Sequence, residues 1–464
     1  MTITKPPPPT PRAHPFPLKE WRGLGRPASP AFLFLTLIAL QGKDPTMKLD
    51  FHVLTVYPPH NVNRDEDGRP KTAMFGGTVR GRISSQAKKR AIRLSPHFQD
   101  LQRATRTRKT GIITWRALGE AGVEDEKIRI LAALSVNFAL GGGGKKPQKK
   151  TVAEFLKALE EKKSRDNIAR IQAEQACDEK TARLYVLEEE LRSAQALVIS
   201  TKEMVKLDAW TKTLAAACRE AGQNAWKKAE TLCAELCEKK SLLSKEDLDE
   251  DTVLFGRMVA ADAKHNVEAT SMVSHAITTH RFSIEGDYFS AAEELKDLGE
   301  TGAAHTSYAF FGSGVYYQHA VLDVGALCQS LGKDRARQAA LAFVNGLLAA
   351  QPGGKRNSYA SDVLAAYLLC SRGTAPSFNA ALAFLEPVVP EKGQDLLAVS
   401  AKRLREYYDT VRTAYDLSLE PLIFAAAPSL REGNAPTAPE VWTVDAVHRF
   451  VAETVGAVDT VGAA

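Results

Sequence analysis

Between Thr105 and Met258 the sequence is helical in pattern almost throughout, and on either side of that block strand-like and helix-like runs alternate. The block is rich in Glu, Lys and Ala. It reads as a helical insertion with solvated outer faces, set into one α/β unit. The first flank opens with "KLDFHVLTVYPP", which alternates and is rich in β-branched and aromatic residues; it reads as a strand that Pro58 and Pro59 end. In the second flank "SHAITTHRFSIEG" and "GSGVYYQHAVLDVGAL" read as strands. "DYFSAAEELKDLG", with Asp287 as its cap, and "DRARQAALAFVNGLLAA" read as helices. There is no fixed-period repeat.

The 464 residues are 44% hydrophobic and 25% charged, ordinary values for a soluble globular protein. That length supplies roughly two or three domains' worth of core. A net charge of +6 is a mild basic excess, and its clustering says more than its size. The six cysteines are scattered without a CxxC pair, and Cys233 and Cys237 have no histidine pair nearby. Reduced structural thiols in a cytoplasmic protein are the expectation. Residues 1–46 differ from the rest: "KPPPPTPRAHPFP" is Pro-rich and "AFLFLTLIAL" is an apolar run behind basic residues. The run is too short to span a bilayer, and no small-x-small cleavage site follows it. Met47 is the expected functional start, with a disordered tail or a signal segment as alternatives.

The most informative stretch is "MFGGTVRGRISSQAKKRAIRLS" (Met74–Ser95), which carries Arg80, Arg82, Lys88, Lys89, Arg90 and Arg93 and no acid. It is not a nucleotide-phosphate loop. The nearest match elsewhere, "GGGGKK", has Lys146 where Ser or Thr is required and Ala139 at the first glycine position. "NRDEDG" (Asn63–Gly68) begins like an EF-hand loop, but Asn stands first and Met74 takes the place of the bidentate Glu. Asp65, Glu66 and Asp67 read as a solvated acidic turn, with Mg²⁺ at a phosphodiester as the alternative. No metal site and no cofactor is expected. His275 and His280 point to opposite faces of a strand with no nucleophile motif beside them, and read as structural or binding residues.

A nucleic-acid reading fits better. A helix starts at Ser84 or Ser85, either of which can cap it. Gln86, Lys89, Arg90 and Arg93 then fall within roughly 100° of one another on the helical wheel. Ala87, Ala91, Ile92 and Leu94 take the other side and can pack on a sheet. The serines at the helix N-terminus favour a phosphate, and Gly76 and Gly77 let backbone approach closely. Without acids for i,i+4 pairing the helix repels itself, so a chain of phosphates is the natural counter-ligand. "AFFGSG" sets Phe310 and Phe311 in a turn, where they stack on bases or fill core. "GGKRNSYA" sets Lys355, Arg356, Asn357 and Ser358 in a Gly-rich turn, a second phosphate-binding candidate.

The segment "VNRDEDGRPKTAMFGGTVRGRISSQAKKRAIR" (Val62–Arg93), followed in order by "LFGRMV", "SMVSHAITTH", "GSGVYYQHA" and "GKRNSYA", resembles the CasC family, the repeated backbone subunit of the type I-E CRISPR Cascade complex. The resemblance runs from about Met47 to the C-terminus, is weak in the helical insertion and is absent over residues 1–46. It implies an α/β (α+β) right-hand fold: an RRM-like (ferredoxin-like) palm from 47–104 and 262–464, helical fingers over 105–261, and a thumb hairpin near Gly299–Gly314. It also implies copies of the chain lined up along a guide crRNA, with other Cascade subunits as partners. The thumb would kink out one nucleotide at intervals and leave the other bases to pair with a target DNA strand. Carried over residue by residue, Arg64, Lys71, Ser84, Gln86, Lys89, Arg90 and Arg93 contact the guide backbone, and Met272, Phe310 and Phe311 sit by the kinked base. Lys145, Lys146, Lys149 and Lys150 in the fingers loop are assigned to target DNA. The RNP1 pattern is not visible, so stacking on the sheet face is not assumed.

The expected function is a non-catalytic RNA-binding scaffold without a membrane contact. Two alternatives stay open. One is a metal-dependent ribonuclease acting on guide-paired RNA through Asp65 or Asp67, as the related type III backbone subunits imply. The other is a stand-alone nucleic-acid chaperone that remains monomeric on RNA.

Overall fold

The computed structural model describes residues 46–142, 146–240, 242–246, 248–259, 262–291, 305–430 and 439–458. The expectations for residues 1–45, for Lys145 and for 299–304 of the thumb lie outside the described residues.

The axis of the fold is β1 (Lys48–His60), which pairs antiparallel with β9 (His305–Asp323) on one side and β10 (Ala365–Gly373) on the other. From β10 the sheet continues to β11 (Glu420–Ala425) and β12 (Glu440–Val441). From β9 it continues through β7 (Ala276–Thr278) and β3 (Thr78–Ile83) to the edge strand β2 (Thr72–Phe75). The pair β11–β12 is parallel. β6 (Ser271–Val273) and β8 (Glu285–Ala291) pair with opposite ends of β9, while β4 (Thr105–Thr107) and β5 (Leu197–Ile199) form a separate ribbon.

The sequence of β1 explains its central place. Leu49, Phe51 and Val53 enter one apolar layer, whereas Leu54 enters the other. On that second side Asp50 and His52 are buried as well: Asp50 accepts from Ser377 and contacts His319, and His52 meets the Tyr317 hydroxyl through Nδ1 while its Nε2 has no hydrogen-bond partner among the described residues. The first layer is closed by α1 (Ser85–Arg93), α10 (Val324–Leu331), α11 (Lys333–Ala349) and α14 (Val444–Gly456). The second is closed by α13 (Leu396–Ala414) and the turn around Phe384. β1 is buried on both faces yet keeps its alternation, because its second face takes Asp50 and His52 beside Leu54. With ten strands and helices on both faces, this is a larger mixed sheet than the four strands of an RRM.

The helical block comprises α2 (Thr110–Glu120), α3 (Glu126–Ala139), α4 (Lys149–Lys162), α5 (Arg165–Gln175), α6 (Glu179–Glu190), α7 (Thr201–Ala221) and α8 (Ala225–Lys239). It has apolar clusters of its own, around Leu131, Leu207 and Leu187. It returns to the sheet through α9 (Glu250–Phe255), and three consecutive acids at the start of α9 join the two parts. Asp249 accepts from the Thr201 backbone N–H at 2.8 Å, and Glu250 meets Arg335 of α11 at 2.7 Å. Asp251, with no exposed side-chain surface, takes Arg93 of α1 at 2.6 Å and Arg106 of β4 at 2.8 Å.

Two local readings are corrected. "DYFSA" is strand rather than the start of a helix capped by Asp287. Glu285–Ala291 pairs residue for residue with Phe311–His305, giving a two-stranded arm in which Tyr288 lies opposite Tyr308. Cross-strand aromatic pairing of this kind favours strand over helix for so aromatic a segment. The hairpin therefore begins well before Gly299. Secondly, Phe310 and Phe311 lie in β9 and not in a turn. All six cysteines are unpaired, and Cys177 alone is not fully buried.

If Asp251 fastens the helical block to the sheet, Asp251→Ala leaves two guanidinium groups without their carboxylate. Urea unfolding is expected to show a loss of about 3 kcal/mol. A change within about 0.5 kcal/mol, the ordinary range for surface substitutions, refutes the anchoring role.

Candidate nucleic-acid interface

Four segments meet where β1 ends. The chain leaves His60 into the loop Asn61–Lys71, and Asn61, 1% exposed, donates from Nδ2 to the carbonyls of Gly68 (2.9 Å) and Phe310 (2.7 Å). One side chain thus ties the acidic turn to the base of the β8–β9 arm. The turn Gly353–Ala360, which contains the short helix α12 (Arg356–Tyr359), lies on the same loop. A Cβ on Gly354 would sit 2.5 Å from the Val62 carbonyl, so only glycine allows that approach. Phe311 meets Tyr359 of this turn with ring centroids 5.9 Å apart, and the Arg69 guanidinium lies 4.9 Å from the Phe310 ring centroid.

The fourth segment is α1. Ser84 is its N-cap, as the sequence indicates, accepting from the Ala87 N–H at 3.3 Å. The neighbouring N–H groups are also taken: Ser84 donates to Asn63 Oδ1 and Ser85 donates to His275 Nδ1, each at 2.8 Å. Burial, reinforced by Arg82 and Lys71, lowers the His275 pKa, which keeps that nitrogen free to accept. Ser84 is 8% exposed and its hydroxyl oxygen accepts from the cap N–H, which gives it a structural part at the start of the helix.

Along α1 the cations divide. Lys89 is half-buried and Arg90 is exposed, and neither has a carboxylate partner among the described residues. Gln86 is exposed beside them. Arg93 is corrected: it is committed to Asp251 through both of its nitrogens, Nε and Nη2, at 2.6 Å, and leaves the cationic face. Arg90 lines a groove of about 430 Å³ together with Ala87, Ala91, Leu94 and Pro352 of apolar character, and Arg356 stands on its opposite wall. Arg356 is paired there with Asp362 at 2.6 Å, both largely exposed. Lys355 and Asn357 are exposed next to it, Lys355 in the left-handed region at φ 52°. Arg64 and Lys71 line a second, shallower concavity with Asp65, Glu66 and Asp67. Asp65 closes its own turn, accepting from the Arg69 N–H at 2.8 Å.

The remaining expected residues fall elsewhere. Met272, 58% exposed, sits in β6 opposite Val321. Phe310 is opposite Gly286 at the other end of β9. Extended chain between positions 310 and 321 covers on the order of 30 Å, so one chain does not bring Met272 and Phe310 together. Lys146 is held by Glu238 at 2.8 Å, Lys150 lies 3.8 Å from Glu154, and Lys149 is exposed. Gly76 and Gly77 have φ of 58° and 70° between paired Phe75 and Thr78, which is a two-residue type I′ hairpin turn. The close approach they permit is to the Leu385 carbonyl, where a Cβ on Gly76 would collide.

The sequence reading passed over Arg69 and Lys88. Arg69 gave no signal before its contact with Phe310 was visible. Lys88 did, because its wheel position falls between Ala91 and Ile92. It is 2% exposed, donating to the Ala350 carbonyl at 3.1 Å and to Gln351 Oε1 at 3.0 Å.

Residues 49–441 match the model of the CT1975-like protein family. The chain belongs to that family. The CT1975-like chain also resembles a subunit of a "CRISPR RNA-guided surveillance complex, pre-nicking", with a TM-score of 0.69 and 23% identity over 88% of this chain and all of that one. At that identity the likeness is one of fold. A subunit of another "CRISPR RNA-guided surveillance complex" aligns at TM-score 0.49 and 17% identity, covering 88% of this chain and 98% of that chain, too loosely to bear on the fold. No curated protein matches the sequence. Among the described residues no helix is long and apolar enough to cross a membrane, and no group of three or more His, Cys, Asp or Glu is placed to hold a metal ion.

Burial pushes the Lys88 ammonium down to about 7, whereas an unfolded lysine titrates near 10.4. The unfolded chain therefore binds the extra proton between these values, and stability attributable to Lys88 rises with pH across that window. Below about pH 7 the cost of the buried charge is fully present. Denaturant titrations from pH 7 to 10 should show wild type gaining stability relative to Lys88→Met. A constant difference between the two refutes the assignment.

Proposed function

We propose that the chain is a guide-RNA-binding backbone subunit of a CRISPR effector complex of the type I-E Cascade kind. In this reading it acts in the cytoplasm as a non-catalytic scaffold, with the sheet domain as an RRM-like palm. Copies assemble along the crRNA beside other Cascade subunits and present its bases to a target DNA strand. The observation that carries the reading is the groove between α1 and the Gly353–Ala360 turn, with Arg90 on one wall and Arg356 on the other. Lys89 and Lys355 belong to the same two segments, and Arg64 and Lys71 line the second concavity; none of the four has an ion-pair partner among the described residues. Cations left without acids on an ordered scaffold suit a polyanion, and phosphate contacts of this kind hold a strand without reading it. Family membership and the fold support the reading.

If Arg64, Lys71, Lys89, Arg90 and Lys355 each displace a counterion from single-stranded RNA, log K falls with log salt at a slope of about −3.5. Replacing Lys89 and Arg90 together by Ala should flatten that slope by about 1.4 and weaken all RNA sequences alike. Loss confined to some sequences overturns the phosphate track. Incubation with guide-paired RNA and Mg²⁺ is expected to leave the RNA intact. Cleavage that an Asp65→Ala, Asp67→Ala double variant abolishes would replace the scaffold by the ribonuclease.

A further inference from the structure

The phosphate track accounts for the exposed cations of α1 and leaves out the buried one. Lys88 points away from Lys89 and Arg90 into the joint between α1 and the end of α11. Its ammonium is held there by neutral oxygens alone, the Ala350 carbonyl and Gln351 Oε1. No carboxylate pairs with it among the described residues, and burying an ammonium without one is costly. An apolar side chain would fill the same space without that cost.

What the ammonium holds is specific. Gln351 Oε1 also accepts from the Tyr57 hydroxyl of β1, and its Nε2 donates to the Val363 carbonyl at 3.0 Å. Gln351 thus ties β1, α1 and both ends of the excursion 352–362 into one knot. Beyond it come Pro352, Gly353 and Gly354, then the left-handed Lys355 and the short α12 that carries Arg356. The excursion touches the rest of the fold through Gly354 on the Asn61–Val62 carbonyls, through Tyr359 on Phe311 and through this knot. α1 approaches α11 closely because Gly346 has no side chain, since a Cβ there would lie 2.7 Å from Ile92 Cγ2.

We infer that Lys88 is a positioning residue for the bound strand: its ammonium fastens the basic helix to the Gly353–Ala360 turn, so that Arg90 and Arg356 face one groove and clasp the same run of phosphates. The inference rests on the RNA-binding reading above. Lys88 itself touches no ligand in this arrangement. It converts two cationic segments, far apart in sequence, into one site.

The test is a double-mutant cycle on the full chain, with fluorescence anisotropy of a labelled single-stranded RNA of mixed sequence. The variants are Lys88→Met, Arg356→Ala, their combination, and Arg64→Ala in both backgrounds as a control outside the groove. Lys88→Met is expected to weaken binding about tenfold, and Arg356→Ala about threefold in the wild-type background with almost no effect once Lys88 is gone. Arg64→Ala should keep its full effect in either background. A merely structural lysine would move all of these together, whereas a positioning role gives coupling at Arg356 alone. Should Lys88→Met fail to fold, Gln351→Ala opens the same knot from the solvent side and enters the same cycle. If Arg356→Ala keeps its full effect beside the opened knot, the inference is overturned while RNA binding stands. If the unsubstituted chain does not bind the RNA, the RNA reading and this inference fall together.

Discussion

β1 is hydrogen-bonded to a long strand on each side and buried on both faces, and the candidate interface is what its last residue delivers. A strand so enclosed has little freedom of register, because a one-residue slip would exchange Leu49, Phe51 and Val53 for Asp50 and His52 in the layer beneath α11. The loop that follows inherits that fixed origin. Asn61, directly after the strand, hands it on through hydrogen bonds to Gly68 and Phe310. The absence of a side chain at Gly354 lets the second cationic turn rest on the same loop. Surface charges borne by loops are ordinarily mobile, and here they are carried by segments pinned to the most rigid element of the fold.

Basic residues do two kinds of work in this chain, separated by whether an acid reaches them. Arg93, Arg106 and Arg335 meet Asp251 and Glu250, and Arg257 meets Glu203 with both side chains inaccessible. These pairs join the helical block to the sheet and brace the connection between them. Such pairs add less to net stability than their geometry suggests, but losing one partner strands the other. They fix orientation at least as much as they contribute energy. Lys89, Arg90 and Lys355 have no such acid among the described residues, and their mutual repulsion persists in the folded protein. A polyanion lying across them relieves that repulsion.

Much of this was legible in the chain. The capping serine, the burial of Ile92 on α1, the central strand and the helical character of the block follow from local rules that act within a few residues, whereas Leu94, expected on the packed side, is 50% exposed in the groove beside Arg90. The failures share a cause. Arg93 looks like its neighbours on the wheel, and its partner Asp251 is 158 residues away. Tyr288 and Phe289 belong to a segment whose helix-like spacing yields to pairing with the strand that begins at His305. Gly76 and Gly77 suit a phosphate loop or a hairpin turn equally, until Phe75 is seen opposite Thr78. Lys88 is the instructive exception. A lysine between Ala91 and Ile92 on the wheel is legible as buried, and attention to charge alone hides it.

The aromatic residues bear on how a strand would lie. Phe310 lies against Arg69 and Phe311 is tilted against Tyr359, and both rings are half-buried. The exposed rings of the arm are Tyr288, Phe289 and Tyr308, at 58%, 43% and 62%, and the two tyrosines pack edge to face with centroids 5.3 Å apart. Around the groove the polar groups are guanidinium and ammonium, which suit phosphate oxygens and offer little that distinguishes one base from another. Met272 lies far along β9 from the arm, and a ligand touching both within one chain would have to follow the sheet for its whole length. A strand that met the arm of one copy and the β6 edge of another would avoid that path. In the proposed assembly, copies standing side by side along a phosphate track would offer that shorter route.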